Sequence, residues 1–345
     1  MRPQIESRLE DEARRALKDR KGLRRPKTED IFRRIGYVVL RDLRIVNFHK
    51  RPVASFNPGA LLVGRELWVF PRLIFDYYSY TSSVGFFKLN VEEVLAGEWE
   101  KPLETRVVLW PRMLWEFKGC EDPRAAAFGD EILLLYTGLG YARREDIDRR
   151  VSWVQGLARL NRSLAVKERR FMSIRSGEER VTPRMKDCAL IDVKGRGATM
   201  LCRPTISGIE VCWSGVADLE NGSLSASSMR PVLVFEEWEL KMGWSTNVVK
   251  LSKDEYIVGW HGVLAEDYSY REGLAVVNRE GELLGVSDYL LAPRGVVEEY
   301  GDRPLVIFGC GLVKYKDQLI WVGGVADCGI GIFSTSVDEA LERIR

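Results

Sequence analysis

Between residue 3 and about residue 21, apolar side chains recur at Ile5, Leu9, Ala13, Ala16 and Leu17 among many charges. Spacings of four, four, three and one put them on one side of an amphipathic helix. Gly22 and the run Leu23-Arg24-Arg25-Pro26 stop it. A second short helix is expected around residues 28–34, with Thr28 as its cap. Residues 1–34 thus read as a helical N-terminal extension, packed on the main domain or on a partner subunit, and residues 35–345 as the main domain.

After the extension the period changes. Segments 36–43 and 52–56 read as strands, and then a unit recurs in which two strands flank a tight turn. Ala60-Leu61-Leu62-Val63-Gly64-Arg65-Glu66-Leu67-Trp68-Val69-Phe70 is the first case, and Ala125-Ala126-Ala127-Phe128-Gly129-Asp130-Glu131-Ile132-Leu133-Leu134-Leu135-Tyr136 the second. Segments 189–202, 246–260 and 305–322 repeat it. The units start about 65, 65, 55 and 60 residues apart, and each could supply one four-stranded sheet. Five of them closing in a ring predict an all-β fold, a five-bladed β-propeller carrying the helical extension, with a sandwich as the alternative. No alternation of strands with long helices follows residue 50, which argues against Rossmann and barrel folds. Residues 336–345 read as a short terminal helix.

Composition narrows the functional classes. At 345 residues and 46% hydrophobic, the chain can bury a large core. Its net charge of +2, from 52 basic and 50 acidic residues, argues against a dedicated nucleic-acid binder. With no apolar run long enough for a membrane span and no signal peptide, a cytoplasmic protein without a membrane partner is expected. Six cysteines (120, 188, 202, 212, 310 and 328) form no C-x-x-C pair, and only His49 and His261 accompany them. Buried free thiols are expected, and neither a metal nor an organic cofactor.

The candidate chemistry centres on Gly119-Cys120-Glu121-Asp122-Pro123-Arg124 at the mouth of the second unit. Proline biases Asp122 towards extended backbone, and in a regular strand Glu121 and Asp122 would face opposite sides. A polar turn with a surface ion pair is the plainer alternative. In a ring of sheets, polar residues at the ends of successive inner strands converge. The candidates are Asn57, Arg72, Glu121, Asp122, Arg124, Lys186-Asp187, Arg203, Lys241, His261, Tyr270-Arg271 and Asp327. Several cations and few carboxylates suit an anionic substrate held beside a general acid. Trp213, Trp244 and Trp260 could stack on sugars or fill the core. Arg143-Arg144, Arg149-Arg150 and the 167–170 run read as solvated loop charge.

In order along residues 55–330, these residues resemble the motifs of glycoside hydrolase family 130, the β-mannoside phosphorylase group. Asn57-Pro58-Gly59-Ala60 resembles its N-P-A-A opening, and Gly119-Cys120-Glu121-Asp122-Pro123-Arg124 its G-x-E-D-P-R motif. Tyr136-Thr137-Gly138 stands where Y-T-A is usual. Lys186-Asp187 resembles K-D, Cys202-Arg203-Pro204 resembles H-R-P, and Lys241-Met242-Gly243 resembles K-x-G. Trp260-His261-Gly262-Val263 is similar to Y-H-G-V, Tyr270-Arg271-Glu272-Gly273 to Y-R-x-G, and Gly324-Val325-Ala326-Asp327 to G-A-A-D. Departures include Cys202 for histidine, Trp244-Ser245-Thr246 for a G-P-P-like run, and Arg294 for glutamate.

The resemblance implies a five-bladed propeller that cleaves β-mannosides with inorganic phosphate as co-substrate, by inversion, giving α-mannose 1-phosphate. It makes Asp122 the catalytic acid. Arg72, Lys186, Arg203 and His261 become the phosphate side, and Asn57, Glu121, Arg124, Lys241, Tyr270, Arg271 and Asp327 the substrate side. Hydrolysis, transfer of mannose from a nucleotide sugar, and carbohydrate binding without catalysis remain as alternatives. A homo-oligomer formed through the N-terminal helix is expected.

Overall fold

The N-terminal helix runs over Gln4–Asp19 and buries Ile5, Leu9, Ala13 and Ala16, as their spacing predicts. It packs them against Met172, Ile174, Met185 and Met200 of the same chain. An assembly through this helix would therefore have to use its charged face. The computed structural model describes residues 3–147 and 151–345, so Arg149 and Arg150 lie outside the described residues. Among the described residues, no helix is long and apolar enough to cross a membrane.

Residues 28–34 form no helix. Thr28 makes a parallel bridge to Tyr289, and the amides of Glu29 and Ile31 donate to the carbonyls of Tyr289 and Leu290. Backbone partners more than 250 residues away override local helical preference. The strand that follows, Arg33–Val38, pairs with Gly329–Ser336 near the C-terminus. Arg24 anchors the same stretch. Its guanidinium forms a two-pronged, almost fully buried ion pair with Glu239, at 2.6 and 2.7 Å. Glu236 accepts from the amides of Gly22 and Arg24.

Five antiparallel hairpins form the body. They are Ala54–Val63 with Glu66–Ile74, Gly119–Phe128 with Glu131–Gly140, Met185–Lys194 with Gly197–Ile206, Glu239–Lys250 with Glu255–Leu264, and Ile307–Tyr315 with Gln318–Val325. The first strand of each is here called the inner strand. Most of their apolar side chains are fully buried, including Trp244, Trp260 and Trp321, and so is Trp213 on the adjoining strand Cys212–Asp218. Three of these are the tryptophans considered as sugar platforms, and they are core.

The hairpins do not give the expected five-bladed β-propeller. Hydrogen bonding divides the strands into four sheets of four, nine, eight and four strands, and no sheet closes on itself. Two features cause the difference. Gly119 approaches Ser82 closely enough for a parallel bridge, which merges the first and second hairpins into the nine-stranded sheet. A Cβ on Gly119 would lie 2.9 Å from that of Ser82. The third hairpin recruits short extra strands, among them Ser173–Ser176, Ser223–Ser225 and Arg230–Leu233. The fold is largely β with a few helices.

The terminal helix, Val337–Glu342, is capped by Ser336. All six cysteines are free, and all but Cys328 are buried.

Candidate functional site

Each inner strand is interrupted by a bulge at the same height. Asn57-Pro58 oppose a single residue in the first hairpin, Asp122-Pro123 in the second and Asp187-Cys188 in the third. Ser245, Thr246 and Asn247 form a wider bulge in the fourth, and Cys310 is the extra residue in the fifth. An inserted residue breaks the two-residue alternation and re-aims side chains. Asn57, Asp122 and Asp187 adopt left-handed backbone, with φ of 44°, 48° and 55°. Asn and Asp tolerate this conformation better than other non-glycine residues. Asp122 is therefore not extended as the following proline suggested.

The bulge also changes where the two acids point. Glu121 and Asp122 do not face opposite sides, because one guanidinium binds both. Arg72 donates to Glu121 Oε1 at 2.8 Å and to Asp122 Oδ1 at 3.2 Å, and its Nε donates to Ser82 Oγ at 2.8 Å. Asn57 Nδ2 donates to the same Asp122 oxygen at 3.0 Å. Among the described residues no group bonds Asp122 Oδ2. Burial raises the Glu121 carboxyl above its usual range, opposed by Arg72 and reinforced by Asp122. Despite its own burial, Arg72 is held firmly cationic by Glu121, Asp122 and Asp327.

A second cluster lies next to it. Arg124, almost fully buried, ties three hairpins together by donating to the Asp122 carbonyl at 2.8 Å, to Asp187 Oδ1 at 3.1 Å and to the Ser245 carbonyl at 2.7 Å. Arg203 donates to Asp187 Oδ2 at 2.9 Å through Nε and to Glu210 at 2.6 Å. Burial works to raise the Asp187 carboxyl, but Arg203, Lys186 and Arg124 outweigh it and hold the group far below the usual range. His261 stands beside this pair. A Cβ on Gly243 would lie 2.7 Å from His261 Cε1, 2.8 Å from Arg203 Nε and 3.0 Å from Asp187 Oδ2. Only glycine leaves room for the three to meet. Burial pushes the His261 pKa well down, with Asp187 opposing and Arg203 and Lys241 reinforcing, so the ring is neutral.

Around these two clusters sit cations without a carboxylate in ion-pair contact among the described residues. Lys186 Nζ lies 5.7 Å over Trp153, Lys241 Nζ 5.4 Å over Tyr270, and the Arg303 guanidinium 4.3 Å over the same Tyr270 ring. Burial, then Arg203 and Arg303, lowers the Lys241 pKa. Asp327, with φ of 51°, closes the group. Burial raises its carboxyl to about 6, with Arg72 opposing and Asp122 reinforcing.

The structure thus brings together Asn57, Arg72, Glu121, Asp122, Arg124, Lys186, Arg203, Lys241, His261, Tyr270 and Asp327. Arg271 is not among them, since it bonds Asp267, Ser269 and Thr28. Beyond the bulges, a cavity of about 280 Å³ is lined by Ala125, Ala126, Ala127, Ile191 and Val248, with Arg124 at its edge.

Sequence reasoning missed Ser82, Glu210, Ser245, Glu272 and Arg303, and gave Asp187 no role. Asp187 and Ser245 carry a usable signal, because each occupies the bulge position that Asn57 and Asp122 occupy in earlier hairpins. Arg303 arrives from a bend and Glu210 from the two-residue strand Ile209–Glu210, neither with a repeating pattern.

The model of the β-1,4-mannooligosaccharide phosphorylase family matches residues 22–345. The chain belongs to glycoside hydrolase family 130. The match to family 130 starts just after the N-terminal helix and takes in every residue of both clusters; the five-bladed closure expected with the resemblance is what the sheet pairing overturns. No curated protein matches the chain. Among solved structures, a β-1,2-mannobiose phosphorylase from Listeria innocua is similar at 16% identity, covering 85% of this chain and 92% of its own, with a TM-score of 0.66. A mannose phosphorylase from Leishmania mexicana, solved with phosphate, is similar at 13% identity over 96% and 94%, with a TM-score of 0.58. The catalytic domain of an α-L-arabinofuranosidase from Coprinopsis cinerea reaches a TM-score of 0.56 at 9% identity over 90% and 99%. At these identities the likeness is one of fold.

Proposed function

We propose that this protein is a β-mannoside phosphorylase in which Asp122 is the general acid. The observation that carries the reading is the asymmetric hold on that carboxyl. Oδ1 accepts from both Asn57 and Arg72, which leaves Oδ2 as the oxygen to carry and deliver a proton. Asp122 protonates the glycosidic oxygen, directly or through the sugar's own 3-hydroxyl, while phosphate attacks the anomeric carbon from the opposite face. The product is α-mannose 1-phosphate. Phosphate is already a nucleophile, so an inverting displacement needs no second catalytic carboxylate. Family membership and the activities of the Listeria and Leishmania enzymes support the mannoside and phosphate classes.

On the phosphate side, Arg72 and Arg203 are already engaged with carboxylates. Direct contact then falls to Lys186 and His261, while the two arginines maintain the positive field. Asn57, Asp327 and Tyr270 take the sugar, together with Glu121, Arg124 and Lys241. The same engagement of two arginines is the one observation that favours hydrolysis as a second reading, since it thins the cations free for phosphate. The protein incubated with phosphate and a panel of β-mannosides should release mannose 1-phosphate, and Asp122→Asn should lose this activity by about 100-fold or more. Free mannose released without phosphate would establish hydrolysis instead. Activity seen only with a nucleotide sugar would establish transfer.

A further inference from the structure

Behind His261 runs a buried line of polar groups that the proposed reaction does not use. Ser245 Oγ lies 3.0 Å from His261 Nδ1 and 2.7 Å from Glu272 Oε2. The other carboxyl oxygen of Glu272 accepts from the Gly309 amide at 3.1 Å. Ser245, His261 and Glu272 are each at most 1% exposed. The imidazole is clamped as well. Tyr270 stacks on it with ring centroids 5.7 Å apart, Phe308 meets it edge-on at 4.8 Å, and Gly243 abuts Cε1. Nδ1 thus faces Ser245, and among the described residues no group bonds Nε2. That nitrogen is left for a ligand.

A hydroxyl has one hydrogen, so Ser245 can donate to only one of its two neighbours. An ionised Glu272 would claim that hydrogen. Ser245 would then accept from His261 Nδ1–H, and Nε2 would be a bare lone pair, repelled by an anion. A protonated Glu272 reverses the line. Its O–H donates to Ser245 Oγ, the hydroxyl donates to Nδ1, and Nε2 keeps its hydrogen.

The surroundings choose between these states. Burial holds the Glu272 carboxyl well above its usual range, with Ser245, Gly309 and Arg124 opposing and Asp187 reinforcing. On the imidazole, burial together with Arg203, Lys241 and Lys186 outweighs Asp187, and the ring stays neutral.

We propose that Glu272 and Ser245 are positioning residues that lock His261 as the Nε2–H tautomer, so that the ring presents a neutral N–H donor to the anion bound in the site. Only the identity of that anion, phosphate, rests on the proposed function. The lock itself follows from the three side chains and their burial.

The chain contains only two histidines, and His49 is exposed. In ¹⁵N-labelled His49→Gln protein a single imidazole remains to be read by NMR. At about pH 7, Nδ1 should resonate far downfield as an unprotonated nitrogen, with the proton on Nε2, and this pattern should persist from about pH 6 to about pH 8. A proton on Nδ1, or a ring that charges in this interval, overturns the proposal.

Two variants in the same background separate positioning from packing. Glu272→Gln still offers an N–H to Ser245 and a carbonyl to Gly309, and should keep the wild-type tautomer. Ser245→Ala removes the donor to Nδ1. It should lose the pure Nε2–H pattern and show a mixture of tautomers, with the KM for phosphate rising severalfold and kcat changing less. A Gln variant that resembles the Ala variant also overturns the proposal, and if both unfold, the His49→Gln spectrum decides.

Adding inorganic phosphate distinguishes the two readings. If the tautomer is as stated and phosphate shifts the Nε2 resonance, the lock serves phosphate. With the tautomer present and no shift, the lock stands and the phosphorylase reading fails at this residue.

Discussion

Asp327 and Asp187 show how neighbours set opposite behaviour for one side-chain type. Burial raises the Asp327 carboxyl to about 6. Between about pH 4 and about pH 6 the folded chain holds a proton that the unfolded chain has released. Stability therefore falls as pH rises through that window, then levels off, by an amount on the order of 3 kcal/mol. Asp327→Asn should be more stable than the wild type at neutral pH by up to this amount and equal to it below about pH 4, as read by urea unfolding across pH. Asp187 has the reverse sign. Its folded pKa is depressed, so its contribution is present above the unfolded value and is lost only as pH falls towards the depressed one. Asp187→Ala would leave Arg124 and Arg203 buried without their shared carboxylate. A loss of about 3–5 kcal/mol is expected in denaturant titration.

The hairpin and its bulge make the site possible, and they differ in how far the sequence reveals them. Two apolar runs around a tight turn, as at Leu61 to Val69, announce a hairpin because burial on both faces demands such residues. The bulge is silent in that pattern. Strict alternation assigned Glu121 and Asp122 to opposite faces, whereas the inserted residue lets Arg72 hold both. Asn57, Asp122 and Asp187 could have disclosed it, as small polar residues recurring at one height where left-handed backbone is needed. Residues 28–34 misled for another reason, because their partner is the backbone of Tyr289 and Leu290. Gly243→Ala tests the close packing around the fourth bulge. Its methyl group would press on His261, Arg203 and Asp187, costing about 1–3 kcal/mol. Phosphorolysis should fall more steeply than stability, which is checked by assaying below the unfolding transition.

Over the whole molecule, regular spacing of the five hairpins suggested five equal sheets, but spacing along a chain does not specify which strand edges meet. Gly119 against Ser82 and the added strands around the third hairpin decide that, giving four sheets of unequal size. The convergence of polar residues was legible nonetheless, since it depends on the inner strands lying together. The N-terminal segment is bound into the same body by Arg24. Arg24→Ala would strand the Glu239 carboxylate in the core, with only the Tyr289 hydroxyl and the Glu236 amide left to donate to it. A loss of about 3–5 kcal/mol is expected, measured as a lower urea midpoint with an unchanged slope.

The height shared by the bulges also governs when the site can come into being. Its floor draws Asn57, Asp122, Asp187, Ser245 and the amide of Gly309 from five hairpins spread over some 250 residues. Contacts so distant along the chain make for slow folding, since long loops must close before any contact rewards them. A chain emerging from the ribosome completes Asp122 early, yet Glu272 lacks its amide donor until Gly309 has been added. The binding floor is thus assembled last, so an incomplete or nicked chain would lose ligand binding before it lost most of its β-structure.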